Sequence, residues 1–207
     1  MILTGQYDSP FVRRVAISLR LLGFDYEHDQ RSVFGDFDSM RQTNPLGRIP
    51  SLTLDDGEVL VDSAAILDAL DEMVGPERAL VPRAGATRRH ALKRIALATG
   101  AIDKAGGSAY ERLIRPPQYR WPEWIQCLRI QAAGAIAALE AEPWPETARL
   151  DQAQITTVCM LRYVAMTDPE LASPATYPRL AALAARCEAL QQFRATYPAD
   201  VVYPTSR

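Results

Sequence analysis

The chain has 207 residues, 48% hydrophobic and 23% charged, a composition typical of globular proteins that argues against wholesale disorder. Its apolar runs are far shorter than the roughly 18 residues of a membrane-spanning helix, and three widely spaced cysteines argue against a disulfide framework or a zinc site. Residues 1–82 carry 7 Lys and Arg against 14 Asp and Glu (net −7) and residues 83–207 carry 16 against 11 (net +5), which suggests two units without a concentrated nucleic-acid surface.

The first 75 residues alternate between strand-like and helix-like patterns, in the order β-α-β-(α)-β-β-α. From Val12 to Leu22, apolar residues recur at the i, i+3, i+4 spacing of an amphipathic helix, and Gly23 supplies a helix stop. The Asp-Asp-Gly turn at residues 55–57 predicts an antiparallel hairpin. The predicted strands are residues 1–4, 24–28, 51–54 and 58–61, the predicted helices are residues 10–22 and 63–74, and residues 31–43 are polar and irregular.

From residue 86 onward the pattern is almost entirely helical. Glycine and proline in residues 75–86 mark a linker. Residues 155–161 are apolar nearly all round, so we expect their helix at the centre of a bundle, and Asp151 three residues before Gln154 predicts a capping box at its start. The predicted helices are residues 86–105, 108–115, 122–141, 151–167 and 176–193.

Ser9 and Pro10 stand between the first strand and the first helix. They suit the N-cap and the first helical position, respectively. The Ser9 hydroxyl could cap this helix and do no more. It could also donate a hydrogen bond to an anion bound at the helix N-terminus.

A second motif, residues 44–52, ends in a proline at the start of a strand. Pro50 cannot donate a ladder hydrogen bond, and a proline in this position often follows a cis peptide bond at a tight turn. That geometry would leave the backbone of Ile49 free to pair with an extended, peptide-like ligand. An ordinary loop-to-strand turn is the alternative.

A third motif, Asp62-Ser63, lies at a strand-to-helix step. Ser63 could simply cap its helix. It could also present its hydroxyl and the helix N-terminus to a carboxylate, while Asp62 accepts a hydrogen bond from an ammonium group.

Together, in this order and spacing, the three motifs resemble the glutathione transferase family, and the resemblance covers the whole chain. The Ser-Pro segment resembles the catalytic turn of the serine-type branches. The segment from Asn44 to Pro50 resembles the loop that ends in a cis-proline, and Asp62-Ser63 resembles the pair that holds the γ-glutamyl group. The chain is thus similar to a bacterial serine-type member.

The resemblance implies an α/β plus all-α fold. Residues 1–77 would form a thioredoxin-like βαβ-ββα domain that binds glutathione, residues 78–85 a linker, and residues 86–207 an all-helical domain that contributes the electrophile pocket. The implied protein is a homodimeric detoxification enzyme that uses the glutathione thiolate, without a metal, on a small hydrophobic electrophile. A non-catalytic scaffold for protein interaction is the alternative. The N-terminus shows no secretory pattern, and the cysteine usage indicates a reducing, cytoplasmic compartment.

The resemblance assigns roles residue by residue. Ser9 would hydrogen-bond the glutathione sulfur and favour the thiolate, because a free thiol with a pKa of roughly 8.5 is only a few per cent ionised at neutral pH. Ile49 would pair its backbone with the cysteinyl unit. Asp62 and Ser63 would hold the two ends of the γ-glutamyl group, and Arg48 would reach the glycyl carboxylate.

The electrophile side of the site is less strongly specified. Tyr7 is also an alternative to Ser9 as the sulfur ligand, because other branches of the family use a tyrosine near the end of the first strand. Asp8 is expected to be a solvated turn residue. No cysteine precedes residue 127, which disfavours cysteine-type chemistry. The candidate pocket residues are Tyr7, Phe11, Tyr110 and Arg112.

Overall fold

A four-stranded mixed sheet organises the first part of the chain. In this computed structural model, which describes residues 1–144, 146 and 149–198, the elements up to residue 74 are β1 (Ile2–Thr4), α1 (Pro10–Leu22), β2 (Glu27–Asp29), α2 (Phe37–Thr43), β3 (Ser51–Thr53), β4 (Val59–Leu60) and α3 (Ser63–Val74). The strand order is β2-β1-β3-β4, with β1 parallel to β2 and antiparallel to β3, and β4 antiparallel to β3. The predicted hairpin and the thioredoxin-like strand and helix order are therefore confirmed.

The remaining elements are helical. They are α4 (Gly85–Leu113), α5 (Pro122–Ala141), α6 (Gln152–Thr167), α7 (Pro178–Glu188) and α8 (Gln191–Arg194), with 3₁₀ turns at Pro117–Tyr119 and Pro169–Ala172. The described residues thus form an α/β unit followed by a helical region, as the fold class predicts. The predicted second domain extends to residue 207, and residues 199–207 lie outside the described part.

Helix α4 corrects the sequence analysis, which predicted two helices separated at Gly106-Gly107. The helix is continuous through both glycines. A Cβ on Gly106 would lie 2.9 Å from the hydroxyl oxygen of Tyr163 on α6. The glycine therefore permits close approach of another helix and does not break its own. Small residues share the buried face of α4: Ala91, Ala98, Ala101, Ala105 and Ala109.

Two further differences concern short elements. The segment 31–43, predicted to be irregular, contains α2, in which Met40 is the one buried residue of the helix. A helix that buries so little has no apolar periodicity to reveal it. The predicted helix 176–193 is divided by a turn at Leu190, whose backbone is extended. This turn returns Phe193 to the core, where it is fully buried.

Helix α6 is the buried centre of the molecule, as predicted. Its capping box is formed: the Gln154 amide donates to Asp151 Oδ1 at 2.8 Å, and the Asp151 amide donates to Gln154 Oε1 at 3.0 Å. Ile155 and Val158 belong to the same core cluster as Leu3 of β1 and Leu52 of β3, so the sheet and the bundle share one core. A second cluster joins α4, α5 and α6 around Ile102, Ile136 and Met160.

The buried Arg13 of α1 ties this helix to the end of the described chain. Its guanidinium donates to both carboxylate oxygens of Glu188, at 2.8 and 2.7 Å, and to the carbonyl oxygens of Phe193 and Thr196. Burial acts to lower the pKa of Arg13, but the hydrogen bonds and charge of Glu188 outweigh it and raise that pKa. Residues near the end of the described chain therefore hold helix α1, which begins next to Ser9, in place.

Candidate active site

A cavity of about 530 Å³ lies between the sheet unit and α4 and α6. The sequence-predicted residues Ser9, Phe11, Arg48, Ile49 and Tyr110 all line it. Residues more than 100 positions apart in the chain are thus brought together around one space. The cavity is also lined by the unpredicted residues Asp8, Phe34, Phe37, Asp103, Gly106 and Tyr163.

Ser9 is both a helix cap and a cavity residue. Its Oγ accepts a hydrogen bond from the Val12 amide at 3.4 Å, as the N-cap of α1. A serine hydroxyl has one donor and two acceptor sites, so this cap leaves the O–H free to donate. The two interpretations left open by the sequence are therefore compatible. An anion in the cavity would meet a hydroxyl donor beside the positive end of a helix dipole.

Tyr7 is turned away from the cavity. Its hydroxyl lies 2.9 Å from that of Tyr26, and its ring stacks on His28 with 3.9 Å between ring centroids. Burial raises the pKa of Tyr7, and the neighbouring Tyr26 raises it further. Tyr7 is not among the described residues that line the cavity. The two candidates therefore have different surroundings, and of the two it is Ser9 that lines the cavity.

The loop before β3 presents Arg48 and Ile49. The Ile49–Pro50 peptide bond is cis, and the buried Asn44 organises the loop by donating from Nδ2 to the Arg48 carbonyl oxygen at 2.8 Å. A Cβ on Gly5, at the end of β1, would lie 2.7 Å from Ile49 Cβ, so glycine is needed for this approach. Arg48 is exposed and Ile49 half-buried.

Asp62 and Ser63 begin α3. Asp62 is the N-cap, and its Oδ1 accepts from the Ala64 amide at 2.9 Å. Ser63 is buried behind the helix start, where Arg14 Nη2 donates to its Oγ at 2.7 Å and Arg14 Nε at 3.2 Å. Sequence reasoning did not find Arg14, because α1 is buried nearly all round and this arginine falls within the apolar run.

Two carboxylates in the cavity have perturbed acidities. Burial raises the pKa of Asp8, although backbone hydrogen bonds at Ser9 and Asp8 act against the rise. Burial likewise raises the pKa of Asp103, against the positive charges of Arg48, Lys104 and Arg14. Asp8 is therefore half-buried in the site, not the solvated turn residue that the sequence analysis expected. Asp103 lies seven residues before Tyr110, on the same face of α4, a relation hidden by the predicted break in that helix.

The aromatic side of the cavity lacks Arg112. Tyr110 meets Phe34 edge to face, with 6.1 Å between ring centroids, next to Phe11. Arg112 points elsewhere: its Nη2 donates to the Thr167 carbonyl oxygen at 2.8 Å and lies 3.5 Å from the carboxylate of Asp168. The sequence analysis predicted Arg112 in the pocket, and the structure places its side chain outside it. Two residues along a helix rotate the side chain by about 200°, from the face of Tyr110 to the opposite one.

Within the described ranges, no cluster of three or more His, Cys, Asp or Glu side chains could hold a metal ion. No helix in that part of the chain combines the length and apolar composition that crossing a membrane requires. All three cysteines are free thiols, and burial raises the pKa of Cys159 to about 12 and that of Cys187 to about 11. Neither is a ready nucleophile.

The chain is similar to known proteins in both sequence and structure. Residues 3–78 match the family model of the glutathione S-transferase N-terminal domain. A glutathione transferase family member from Pseudomonas fluorescens Pf-5, solved with bound glutathione, is 35% identical, with a TM-score of 0.86 over 96% of this chain and 98% of its own. The GST-like protein YibF of Escherichia coli K12 is 28% identical over 77% of this chain and 78% of its own.

A third relative, the probable maleylacetoacetate isomerase 1 of Drosophila melanogaster, is 26% identical over 89% of this chain and 75% of its own. The match to the Pseudomonas fluorescens structure extends over nearly the full length of both chains, and the family model covers the sheet unit that carries Ser9 and Pro50. The chain belongs to the glutathione S-transferase family.

Proposed function

We propose that this family member is a serine-type glutathione transferase, in which Ser9 hydrogen-bonds the glutathione sulfur while the thiolate attacks a small hydrophobic electrophile. The observation that carries the proposal is that Ser9 lines the cavity. The Val12 amide uses an acceptor site of the Ser9 hydroxyl, so the O–H group of this serine can still donate a hydrogen bond. The bound glutathione of the Pseudomonas fluorescens relative supports the choice of thiol.

The reaction depends mainly on a site that lowers the pKa of the glutathione thiol. Lowering a thiol pKa by about two units makes the thiolate predominate at neutral pH and corresponds to about 2.7 kcal/mol of preferential thiolate stabilisation. A hydroxyl donor at the N-terminus of α1 supplies a charge-assisted hydrogen bond and a favourable dipole. The thiol proton passes to solvent water, and the thiolate sulfur donates its electron pair to the electrophilic carbon held beside it. In an addition the π pair of that carbon moves to its neighbouring atom, which then takes a proton from water; in a substitution a leaving group departs with its bonding pair. Proximity supplies the rest of the acceleration.

The rest of the tripeptide would extend along the sheet unit, leaving the helical region for the second substrate. The Ile49 backbone would pair with the cysteinyl unit, Arg48 would reach the glycyl carboxylate, and Asp62 with Ser63 would hold the γ-glutamyl end. In this division residues 1–77 bind glutathione and residues from 86 onward complete the electrophile pocket. The aromatic wall of Phe11, Phe34 and Tyr110 favours an apolar or aromatic electrophile.

A second candidate is use of glutathione for isomerisation. It is favoured by the similarity to the Drosophila isomerase over 89% of the chain. The Ser9 thiolate site would be the same, and glutathione would be regenerated at the end of the cycle. Product analysis separates the two, because conjugation consumes glutathione in proportion to product and isomerisation does not.

The decisive experiment compares substitutions at the two residues that the sequence left open. Ser9→Ala should lower turnover by roughly one to three orders of magnitude with little change in glutathione affinity, since the sulfur is the one group of glutathione on which this hydroxyl acts. Ser9→Thr, which keeps a hydroxyl and a helix cap, should retain more activity than Ser9→Ala. Tyr7→Phe should leave turnover nearly unchanged. Loss of activity in Tyr7→Phe with normal activity in Ser9→Ala would refute the assignment.

The same preparations test for a non-catalytic scaffold. Retention on immobilised glutathione and an ultraviolet thiolate difference band on binding are expected for the enzyme. A protein that shows neither would be a scaffold of transferase-like fold.

A further inference from the structure

The buried guanidinium of Arg14 donates its hydrogen bonds to a hydroxyl group and forms no ion pair among the described residues. Arg14 is 3% exposed, and both of its described hydrogen bonds end on Ser63 Oγ, which belongs to a residue that is also 3% exposed. The guanidinium also lies over the ring of Phe11, 5.6 Å from the guanidinium carbon to the ring centroid. Arg14 thus lies between the start of α3 and the cavity wall.

The neighbouring Arg13 shows how this chain ordinarily satisfies a buried arginine. Arg13 makes two charged hydrogen bonds to Glu188, and its pKa is raised. Among residues 1–144, 146 and 149–198, no carboxylate lies within ion-pair distance of Arg14, and burial lowers its pKa to about 10. Asp62 and Asp103 attract Arg14 only from beyond ion-pair distance. The buried guanidinium therefore lacks a directly contacting carboxylate among the described residues, which is unfavourable unless a ligand supplies the negative charge.

The two hydrogen bonds also fix what Ser63 can do. A serine hydroxyl has one O–H donor and two acceptor sites, and Arg14 offers donors only. With Arg14 donating from Nε and Nη2, the Ser63 hydrogen must point away from the guanidinium. Ser63 is also the first residue of α3, so its backbone N–H has no partner within the helix. The outer side of Ser63 is thus a pair of donors backed by a buried positive charge.

We propose that Arg14 is a positioning residue for glutathione: it orients the Ser63 hydroxyl as a donor and supplies the buried positive charge that selects the α-carboxylate of the γ-glutamyl unit. The inference rests on the proposed function, because it concerns the same glutathione site. Arg14 acts through Ser63, with the carboxylate on the other side of the hydroxyl. Its effect should therefore be confined to that one ligand group.

The test is calorimetric titration of two ligands against the full-length protein. One ligand is glutathione, and the other is 4-aminobutyryl-cysteinyl-glycine, which lacks only the α-carboxylate. Arg14→Met removes the charge and keeps much of the volume. It should weaken glutathione binding by roughly 10- to 100-fold and leave binding of the analogue within about 3-fold, because only glutathione carries the group that Arg14 selects.

Two further variants make the result specific. Ser63→Ala should weaken glutathione binding similarly, and Arg14→Met combined with Ser63→Ala should add little further loss, because the two residues act as one unit. Arg20→Met, at the exposed end of the same helix, should leave both affinities unchanged. Arg14→Lys, which keeps the charge, should recover part of the preference for glutathione.

Each outcome decides the matter. Equal loss for both ligands in Arg14→Met, or no loss for either, would overturn the role of Arg14 while leaving the glutathione transferase proposal intact. If Arg14→Met fails to fold, Arg14→Lys provides the same test. An equal loss of affinity for both ligands in Arg14→Lys, together with additive losses when it is combined with Ser63→Ala, would overturn the role. A wild-type protein that binds neither ligand would overturn both the proposed function and this inference.

Discussion

Ser9 and Ser63 each accept a hydrogen bond from a protein N–H and keep their own proton available. The donor to Ser9 is the Val12 amide, and the donors to Ser63 are the guanidinium nitrogens of Arg14. A hydroxyl is suited to this task because it accepts and donates at once. The glutathione site, as proposed, is therefore prepared for two negative centres, a sulfur at one helix start and a carboxylate at the other.

Asp8, next to Ser9, provides a prediction about pH. Burial raises its pKa in the folded state above the unfolded value, so the folded protein binds this proton more tightly. Its contribution to stability is then most favourable below the unfolded pKa of about 3.9 and is lost as pH rises through the folded pKa. Asp8→Asn should raise the urea midpoint at pH 7, and the gain should vanish below about pH 4.

The comparison requires urea unfolding of both proteins at the two pH values. Asp25→Asn is the matched control, because Asp25 is exposed and its replacement should move the midpoint little at either pH. A lower midpoint for Asp8→Asn at pH 7 would contradict the burial argument.

The residue-scale features that the sequence predicted are local ones. Ser9, Asp62 and the Asp151–Gln154 box follow from neighbouring residues, because capping is decided within one helical turn. The direction of Arg112 and the partners of Arg14 depend on which elements pack against them. No spacing within the chain carries that information, so the sequence predicted Phe11 and Tyr110 as pocket residues but neither the partners of Arg14 nor the direction of Arg112.

At the scale of elements, close packing decides where small residues stand. Gly106 of α4 faces Tyr163 of α6, whereas Gly100 on α4 and Gly134 on α5 have open space where a Cβ would be. Periodicity predicted the helices because each buries an apolar face, but it cannot tell a glycine that ends a helix from one that admits a neighbour. Helix α2 was missed for the opposite reason, because it buries little.

This contrast gives a prediction on helix stability. Gly100→Ala and Gly134→Ala should each raise the free energy of unfolding by about 0.5–1 kcal/mol, the usual gain for alanine over glycine inside a helix. Gly106→Ala should lack this gain or destabilise the protein, because the new Cβ meets the buried Tyr163 hydroxyl. Tyr163→Phe should remove this steric conflict. The free energy of unfolding of the double variant should therefore be higher than the sum of the two single effects in a double-mutant cycle. Urea unfolding of all five variants checks it, and equal gains at the three glycines would refute it.

At the scale of the whole molecule, we predict a homodimer. The charges of −7 on residues 1–82 and +5 on residues 83–207 would be complementary if the first unit of one subunit met the second unit of its partner. Exposed apolar side chains on β4, α3 and α4, namely Val59, Met73 and Leu92, are available to supply affinity. Individual surface charges contribute little, so they bias orientation more than strength.

Sedimentation equilibrium at micromolar concentration tests this prediction. A mass near twice the 22.9 kDa of the chain is expected, with weaker association in 1 M salt because screening removes the charge complementarity. A mass near that of one chain at low salt would rule out the dimer.

The link from Arg13 to Glu188, Phe193 and Thr196 bears on how the protein is made. Helix α1 leaves the ribosome early, yet the acceptors of its buried guanidinium are translated 175 to 183 residues later. Until they emerge, α1 holds a cation that cannot be buried with its partners in place. The helix start that carries Ser9 therefore acquires its native surroundings only after residues 188–196 have been synthesised, and a chain that lacked them would hold the arginine of α1 without its partners.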